Sequence, residues 1–213
     1  MICVSIAEPT TDLVIKSLKN EEFAEIRLDA IENLQFGDIR RIFSVRCKFI
    51  ATCRFGFYND EQRKAFLLEA IRSGVAFVDV EVDSPEDFVS EVVRAAREKG
   101  TRVIISYHHF EKTPSSAELD QIVNWCFSSG ADIAKIVCHA QDKSDCARIL
   151  SLYEKTKPII AFSMGSLGAF TRIAAPFLGA PFVYVAKAAG KETAEGQFDK
   201  KQMLAIMEKI AGV

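Results

Sequence analysis

No run of this sequence approaches the ~20 consecutive apolar residues of a membrane-spanning helix. The first residues, ICVSIAEPT from residue 2, carry neither a basic leader nor a long apolar stretch. A soluble, unprocessed chain is expected. Charge of neither sign dominates: 27 Lys and Arg stand against 29 Asp and Glu, a formal charge of −2, which offers no electrostatic footprint for nucleic acid or an anionic membrane. The six cysteines, Cys3, Cys47, Cys53, Cys126, Cys138 and Cys146, contain no CxxC pair. Scattered in this way they fit reduced thiols in a cytoplasm, most of them small core residues, better than a disulfide frame or a zinc site. Also missing are HExxH, the sharp nucleophile turn of a Ser/His/Asp hydrolase, and a glycine-rich dinucleotide turn after the first strand.

What is present is alternation. Short β-branched runs occur at ICVSIA (2–7), AEIRLDA (24–30), KFIATCR (48–54), FVDVEV (77–82), RVIISYHHF (102–110), ADIAKIV (131–137), PIIAFSM (158–164) and FVYVAKA (182–188), and a segment of helical period follows each. Ser84 ahead of Asp87, and Ser115 ahead of Glu118, read as N-caps, while Gly74, Gly100, Gly130 and Gly179 read as helix stops. Eight strand and helix units in 213 residues, with no linker or low-complexity segment, predict one domain over 1–213: an α/β, single-domain (β/α)8 barrel. A doubly wound open sheet is the alternative architecture.

A barrel enzyme builds its site from the C-terminal ends of its strands. Those ends are charged here. Strand two carries Glu25, Arg27 and Asp29 at spacings of two, on one face of the pleat; strand three ends in Arg54, strand four carries Glu81, and strand five ends in His108. Arg172 follows strand seven in MGSLGAFTR, and KETAEGQ follows strand eight. Each has a plain explanation when taken alone: an ion network, a strand-end histidine, a solvated loop arginine, a turn. Together they would crowd several buried charges into one mouth, and such charges need each other or a ligand. A metal site is not expected, because His108 and His109 are adjacent on a strand and point to opposite faces, as do Cys138 and His139.

The sharpest anomaly is Lys135, between Ile133-Ala134 and Ile136-Val137 in strand six. A buried ammonium there must find a partner, lose its proton, or point into a wet cavity. Desolvation favours the neutral amine, which can attack a ketone to form an imine, and the imine is an electron sink that acidifies the adjacent carbon. His108 has the type and position of the base for that proton, and Glu81, one strand earlier, can accept from its other ring nitrogen.

At these residues the sequence resembles the type I 3-dehydroquinate dehydratases of the shikimate pathway. EIRLD (25–29), ATCR (51–54), DVEV around Glu81, SYHHF (106–110), DIAKIV (132–137), SMGSLGAFTR (163–172) and the GQ of AEGQF occur in that family's order, over essentially the whole chain. The resemblance implies conversion of 3-dehydroquinate to 3-dehydroshikimate with loss of water and without metal or organic cofactor. It implies Lys135 as imine former, His108 as acid and base, and Glu81 orienting His108. Arg172 would hold the substrate carboxylate, Arg54 and Gln197 polar groups of the ring, and Glu25 with Arg27 the hydroxyls. Thr193 stands where the family often has serine, His109 where aspartate or asparagine is commoner, and Glu195 where proline is common. The N-terminal hairpin that closes the barrel bottom in longer members is missing, since the sequence opens directly into strand one. The expected partner is therefore a small molecule, with no nucleic acid or membrane, in a cytoplasmic protein that could form a homodimer. Another Schiff-base barrel lyase, such as a class I aldolase with a phosphate in the SMGSLG turn, and a non-catalytic barrel that binds a small carboxylate remain as alternatives.

Overall fold

The structure is a computed structural model describing residues 1–212. Its strands are β1 (Ile2–Ile6), β2 (Phe23–Arg27), β3 (Lys48–Thr52), β4 (Phe77–Glu81), β5 (Arg102–His109), β6 (Ile133–His139), β7 (Ile159–Met164) and β8 (Val183–Ala186). The helices between and after them are α1 (Thr11–Ser17), α2 (Phe36–Phe43), α3 (Asp60–Arg72), α4 (Glu86–Lys99), α5 (Ser116–Ser128), α6 (Lys143–Ser151), α7 (Ala169–Phe177) and α8 (Lys200–Ala211). All strand pairs are parallel, and the ladder runs β7-β6-β5-β4-β3-β2-β1-β8. This is the expected (β/α)8 barrel, nearly closed, with β7 and β8 at the two ends of the ladder and α7 packed on both.

The helices start where side chains can satisfy their first N–H groups. Reciprocal capping boxes open α3 (Asn59 with Gln62), α5 (Ser115 with Glu118) and α8 (Asp199 with Gln202). Ser84 is not a cap. The residue before α4 is Pro85, which makes no side-chain cap bond, and Ser84 instead turns back to donate its N–H to the Glu81 carbonyl. Gly100 ends α4 in the left-handed conformation, at φ 71°, where a side chain would be strained.

Two apolar regions hold the barrel. One lies between strands and helices; the other fills the lower interior with Cys3, Phe23, Ile50, Phe77, Ile104, Ile133, Ile160 and Phe182. Phe23, Phe77 and Phe182, at the entrances to β2, β4 and β8, form an aromatic trio with centroids 5.0–5.9 Å apart. Lys48 lies about 5 Å from the Phe23 and Phe77 rings, and Arg102 lies 5.3 Å from Phe77. These rings and their cations plug the bottom of the barrel.

Candidate active site

Above that plug, at the C-terminal ends of the strands, lies a cavity of about 730 Å³. Glu25, Arg27, Arg54, Glu81, His108, Lys135, Arg172, Thr193 and Gln197 all line it. The register explains why. Glu81 of β4, Ser106 of β5 and Lys135 of β6 occupy one inward-facing row, and His108 and Val137 occupy the next row up.

Lys135 is 6% exposed and has found both a partner and the cavity. Its Nζ donates to Asp79 Oδ2 at 3.2 Å, stands 4.0 Å from Glu25 Oε1, and lies 4.5 Å over the Tyr184 ring. Asp79 also takes a forked pair from Arg54 at 2.9 and 2.6 Å and the Ser106 hydroxyl at 2.6 Å. Burial opposes the Asp79 charge, but Arg54 and Lys135 outweigh it and hold its carboxyl well below the usual carboxylate range. For Arg54, burial is likewise outweighed by Asp79 and Glu81, and the guanidinium stays charged. Glu25 is anchored from both sides, accepting from Ser5 at 2.7 Å and Thr52 at 2.9 Å. Asp79 was not among the residues picked from the sequence, although its signal was there: a carboxylate two residues before Glu81, in a run as apolar as that around Lys135.

His108 projects into the cavity, while His109 faces the outside with Tyr107 and Trp125, as alternation requires. Burial pushes the His108 imidazole well below its ordinary pKa, and the Arg54 and Lys135 cations push the same way, so the ring is held neutral. Phe110 stacks against it at 6.1 Å, 12° from parallel. The Nδ1 of His108 is buried and has no partner. The expected bond to Glu81 is not made. Glu81 Oε2 accepts from the buried Arg63 of α3 at 2.8 Å, while its Oε1 has only Arg54, at 3.9 Å.

The strand-two triplet also differs from expectation. β2 ends at Arg27, and Asp29 lies in a 3₁₀ turn over Leu28–Ala30, so the chain curls back and Asp29 clamps Arg27 at 3.0 and 2.6 Å. Asp29 also accepts the Arg54 backbone N–H at 2.9 Å, which ties β2 to the start of the β3–α3 loop.

Arg172, on α7, is 3% exposed and lies 4.2 Å over the Phe162 ring. Its Nη2 donates to the Glu195 carbonyl at 3.2 Å, its Nε has no partner, and no carboxylate pairs with it among the described residues. Burial alone lowers its pKa to about 10. The loop after β8 folds on itself, with Gln197 Oε1 accepting from Thr193 N at 2.8 Å and Thr193 Oγ1 at 3.2 Å. It passes so close to the SMGSLG turn that a Cβ on Gly196 would stand 2.9 Å from the Gly165 carbonyl. In that turn and the first turn of α7 after it, the Gly168 and Thr171 N–H groups donate to the carbonyls of Gly165 and Gly168, which removes two donors a phosphate would need. Lys187 lies away from the cavity and pairs with Glu21 at 2.5 Å. Among the described residues no three His, Cys, Asp or Glu side chains converge as metal ligands, and no helix is long and apolar enough to cross a membrane.

Fold and site together define a single-domain (β/α)8 barrel with a charged cavity at its C-terminal mouth, organised around a buried strand-six lysine. The family model for type I 3-dehydroquinase matches residues 2–212. A 3-dehydroquinate dehydratase of Desulfotalea psychrophila is 32% identical over 96% of this chain and 96% of its own length. One from Methanocaldococcus jannaschii is 34% identical over 93% and 94% respectively. The type I 3-dehydroquinate dehydratase structure from Clostridium difficile superimposes with a TM-score of 0.87 at 24% identity, covering 99% of this chain and 92% of that one. The chain belongs to the type I 3-dehydroquinase family, a family of lyases.

Proposed function

We propose that the chain converts 3-dehydroquinate to 3-dehydroshikimate and water through an imine on Lys135. The lysine condenses with the ring ketone, and the carbinolamine loses water, which carries off two of the ammonium's protons, to give the protonated imine. His108 then takes a proton from the adjacent carbon, and the electron pair flows into the imine as an enamine. Collapse of the enamine expels the β-hydroxyl, which leaves as water with the proton His108 took; hydrolysis of the imine consumes one water and returns the lysine. The net change is loss of one water, and the imine supplies the electron sink, with no metal or organic cofactor in the scheme.

The observation that carries this reading is Arg172: a buried guanidinium without a carboxylate partner, facing the same cavity as Lys135 and the neutral His108. A bound carboxylate would supply the missing charge. Glu25, Arg27, Arg54, Thr193 and Gln197 would hold the ring's oxygens, and Glu81 would orient His108. The names of the family and of the relatives support the substrate. The sugar-phosphate reading, the aldolase, meets two donors already spent in the SMGSLG turn and the start of α7. A cytoplasmic location is part of the proposal, resting on six cysteines that are all free. A homodimer goes with it, since a second copy would cover the outer face of α7, where Phe170, Phe177 and Leu178 are exposed and residues 165–182 hold one charge, Arg172. Sedimentation showing a monomer would remove that element.

The deciding experiment is reduction with borohydride in the presence of 3-dehydroquinate. A permanent adduct located on Lys135 by mass spectrometry, together with growth of enone absorbance in the unreduced reaction, supports the proposal. An adduct on another lysine, or none, overturns it.

A further inference from the structure

Arg63 belongs to no motif picked from the sequence, yet it is 3% exposed and lines the cavity. Each of its guanidinium nitrogens has a protein partner. Nε donates to the Cys53 carbonyl at 3.0 Å, Nη1 to Asp60 Oδ1 at 2.6 Å, and Nη2 to Glu81 Oε2 at 2.8 Å. Its guanidinium carbon lies 5.3 Å from the Phe88 ring and 5.9 Å from the Phe55 ring. An arginine fixed in this way is a rigid fork rather than a mobile surface charge.

What it grips is half of a carboxylate. Oε2 of Glu81 takes Arg63 and, at 3.4 Å, the Phe55 N–H. Oε1 has only Arg54, at 3.9 Å. Glu81 stands opposite Ser106 on β5, and His108 is two residues further along that strand on the same inward face. Neighbours on such a diagonal of a sheet face are within reach of two long side chains. One open acceptor, Oε1, and one buried donor site without a partner, His108 Nδ1, therefore share a single diagonal of the sheet.

We infer that Arg63 is a positioning residue for the reaction: it pins one Glu81 oxygen so that the other is presented to His108 Nδ1, setting the imidazole's tautomer and leaving Nε2 to face the substrate. Without Arg63 the carboxylate is free to close the 3.9 Å gap to Arg54, leaving the histidine unsupported. The inference rests on the proposed role of His108 and Glu81.

The test is a double-variant cycle on the full chain with 3-dehydroquinate, using Arg63→Met, Glu81→Gln and the pair. If Arg63 acts through Glu81, each single change lowers kcat by about 10- to 100-fold, the scale of a proton-transfer group misplaced by about 1 Å. The pair loses no more than the worse single variant. KM should stay within about twofold, because ground-state binding is untouched, and Arg63→Lys should recover part of the loss. Should Arg63→Met fail to fold, Arg63→Lys replaces it in the cycle. Losses that multiply in the pair, or a rise in KM matching the fall in kcat, would overturn the inference while leaving the imine chemistry standing. If Glu81→Gln is fully active, both the inference and the Glu81 role fall, and the Lys135 adduct reports separately on the rest.

Discussion

The Lys135 ammonium and the Asp79 carboxylate meet at 3.2 Å inside the barrel, from strands β6 and β4, with Ser106 of the intervening β5 bonded to the same carboxylate. Asp79 is thus the shared anion for two buried cations, Lys135 and Arg54. Asp79→Asn would leave them to Glu25 and Glu81 alone. Breaking such a pair costs about 3–5 kcal/mol, and denaturant unfolding at neutral pH should show a loss of that size. Because the folded Asp79 carboxyl titrates below its unfolded value, its contribution is complete above about pH 4 and is lost as pH falls through the folded value. The Asn variant should therefore have the flatter acid limb. Equal stability of the two proteins at pH 7 would show that Glu25 and Glu81 suffice.

His108→Ala should still trap some adduct with borohydride but dehydrate slower by about 10²–10⁴-fold, the usual range for a positioned acid or base. His109→Ala should be mild, since its ring lies in the outer groove beside Trp125. The reverse ranking in steady-state activity would move the role to His109.

The neutral state of His108 can be read directly. At pH 6 an ordinary histidine, with a pKa of about 6.5, is mostly protonated. Burial, with Arg54, Lys135 and Arg27 around it, keeps His108 neutral there against the opposing Asp79 charge. Nitrogen-detected NMR, with the signal assigned by its disappearance in His108→Ala, should show a neutral ring at pH 6. A midpoint at or above the ordinary value would contradict the burial seen here.

Arg172→Lys should not behave as a conservative change, because an ammonium meets a carboxylate as a point charge where a guanidinium meets it as a fork. Losing a charge-assisted contact removes about 1.5–3 kcal/mol, or one to two powers of ten in binding. KM should rise by that factor, more for Arg172→Ala, and inhibition by ring carboxylates should weaken while that by uncharged ring polyols does not. Unchanged constants in Arg172→Ala would pass the carboxylate site to Arg54.

The barrel was legible because period-two and helical patterns alternate without interruption, and Glu25, Arg27, Arg54, Glu81, His108 and Lys135 were legible because they are titratable side chains in or just after apolar strand runs, whereas Thr193 and Gln197, in the loop after β8, came only from the family resemblance. Contacts between elements were not. Nothing in sequence spacing says that Arg63, inside a helix, reaches Glu81 at the end of the next strand, or that Asp29 curls back onto Arg27 instead of continuing the pleat. Ser84 looked like a cap because serine before an acidic first turn is the usual pattern, but Pro85 fixes the chain's entry into α4 without its help. Asp79 carries the same signal as Glu81, an acid in an apolar run, and only its contacts across the barrel with Lys135 and Arg54 set it apart.

The ladder order has a consequence for how the chain reaches this fold. β7 and β8, neighbours in sequence, stand at its two ends, whereas β1 pairs with β8 through Ile2↔Val183 to Ser5↔Ala186. The last strand thus joins the ladder through its longest-range pairing, and β7 and β8 are left facing each other unpaired. During synthesis β1 therefore exposes one unpaired edge until residues beyond 180 have emerged, and the buried charges of β4 and β6 have no closed wall around them until then. Late closure of this kind is slow, because the loop entropy must be spent before the final ladder forms. The first strand is thus the segment most open to edge-to-edge association in an incomplete or truncated chain.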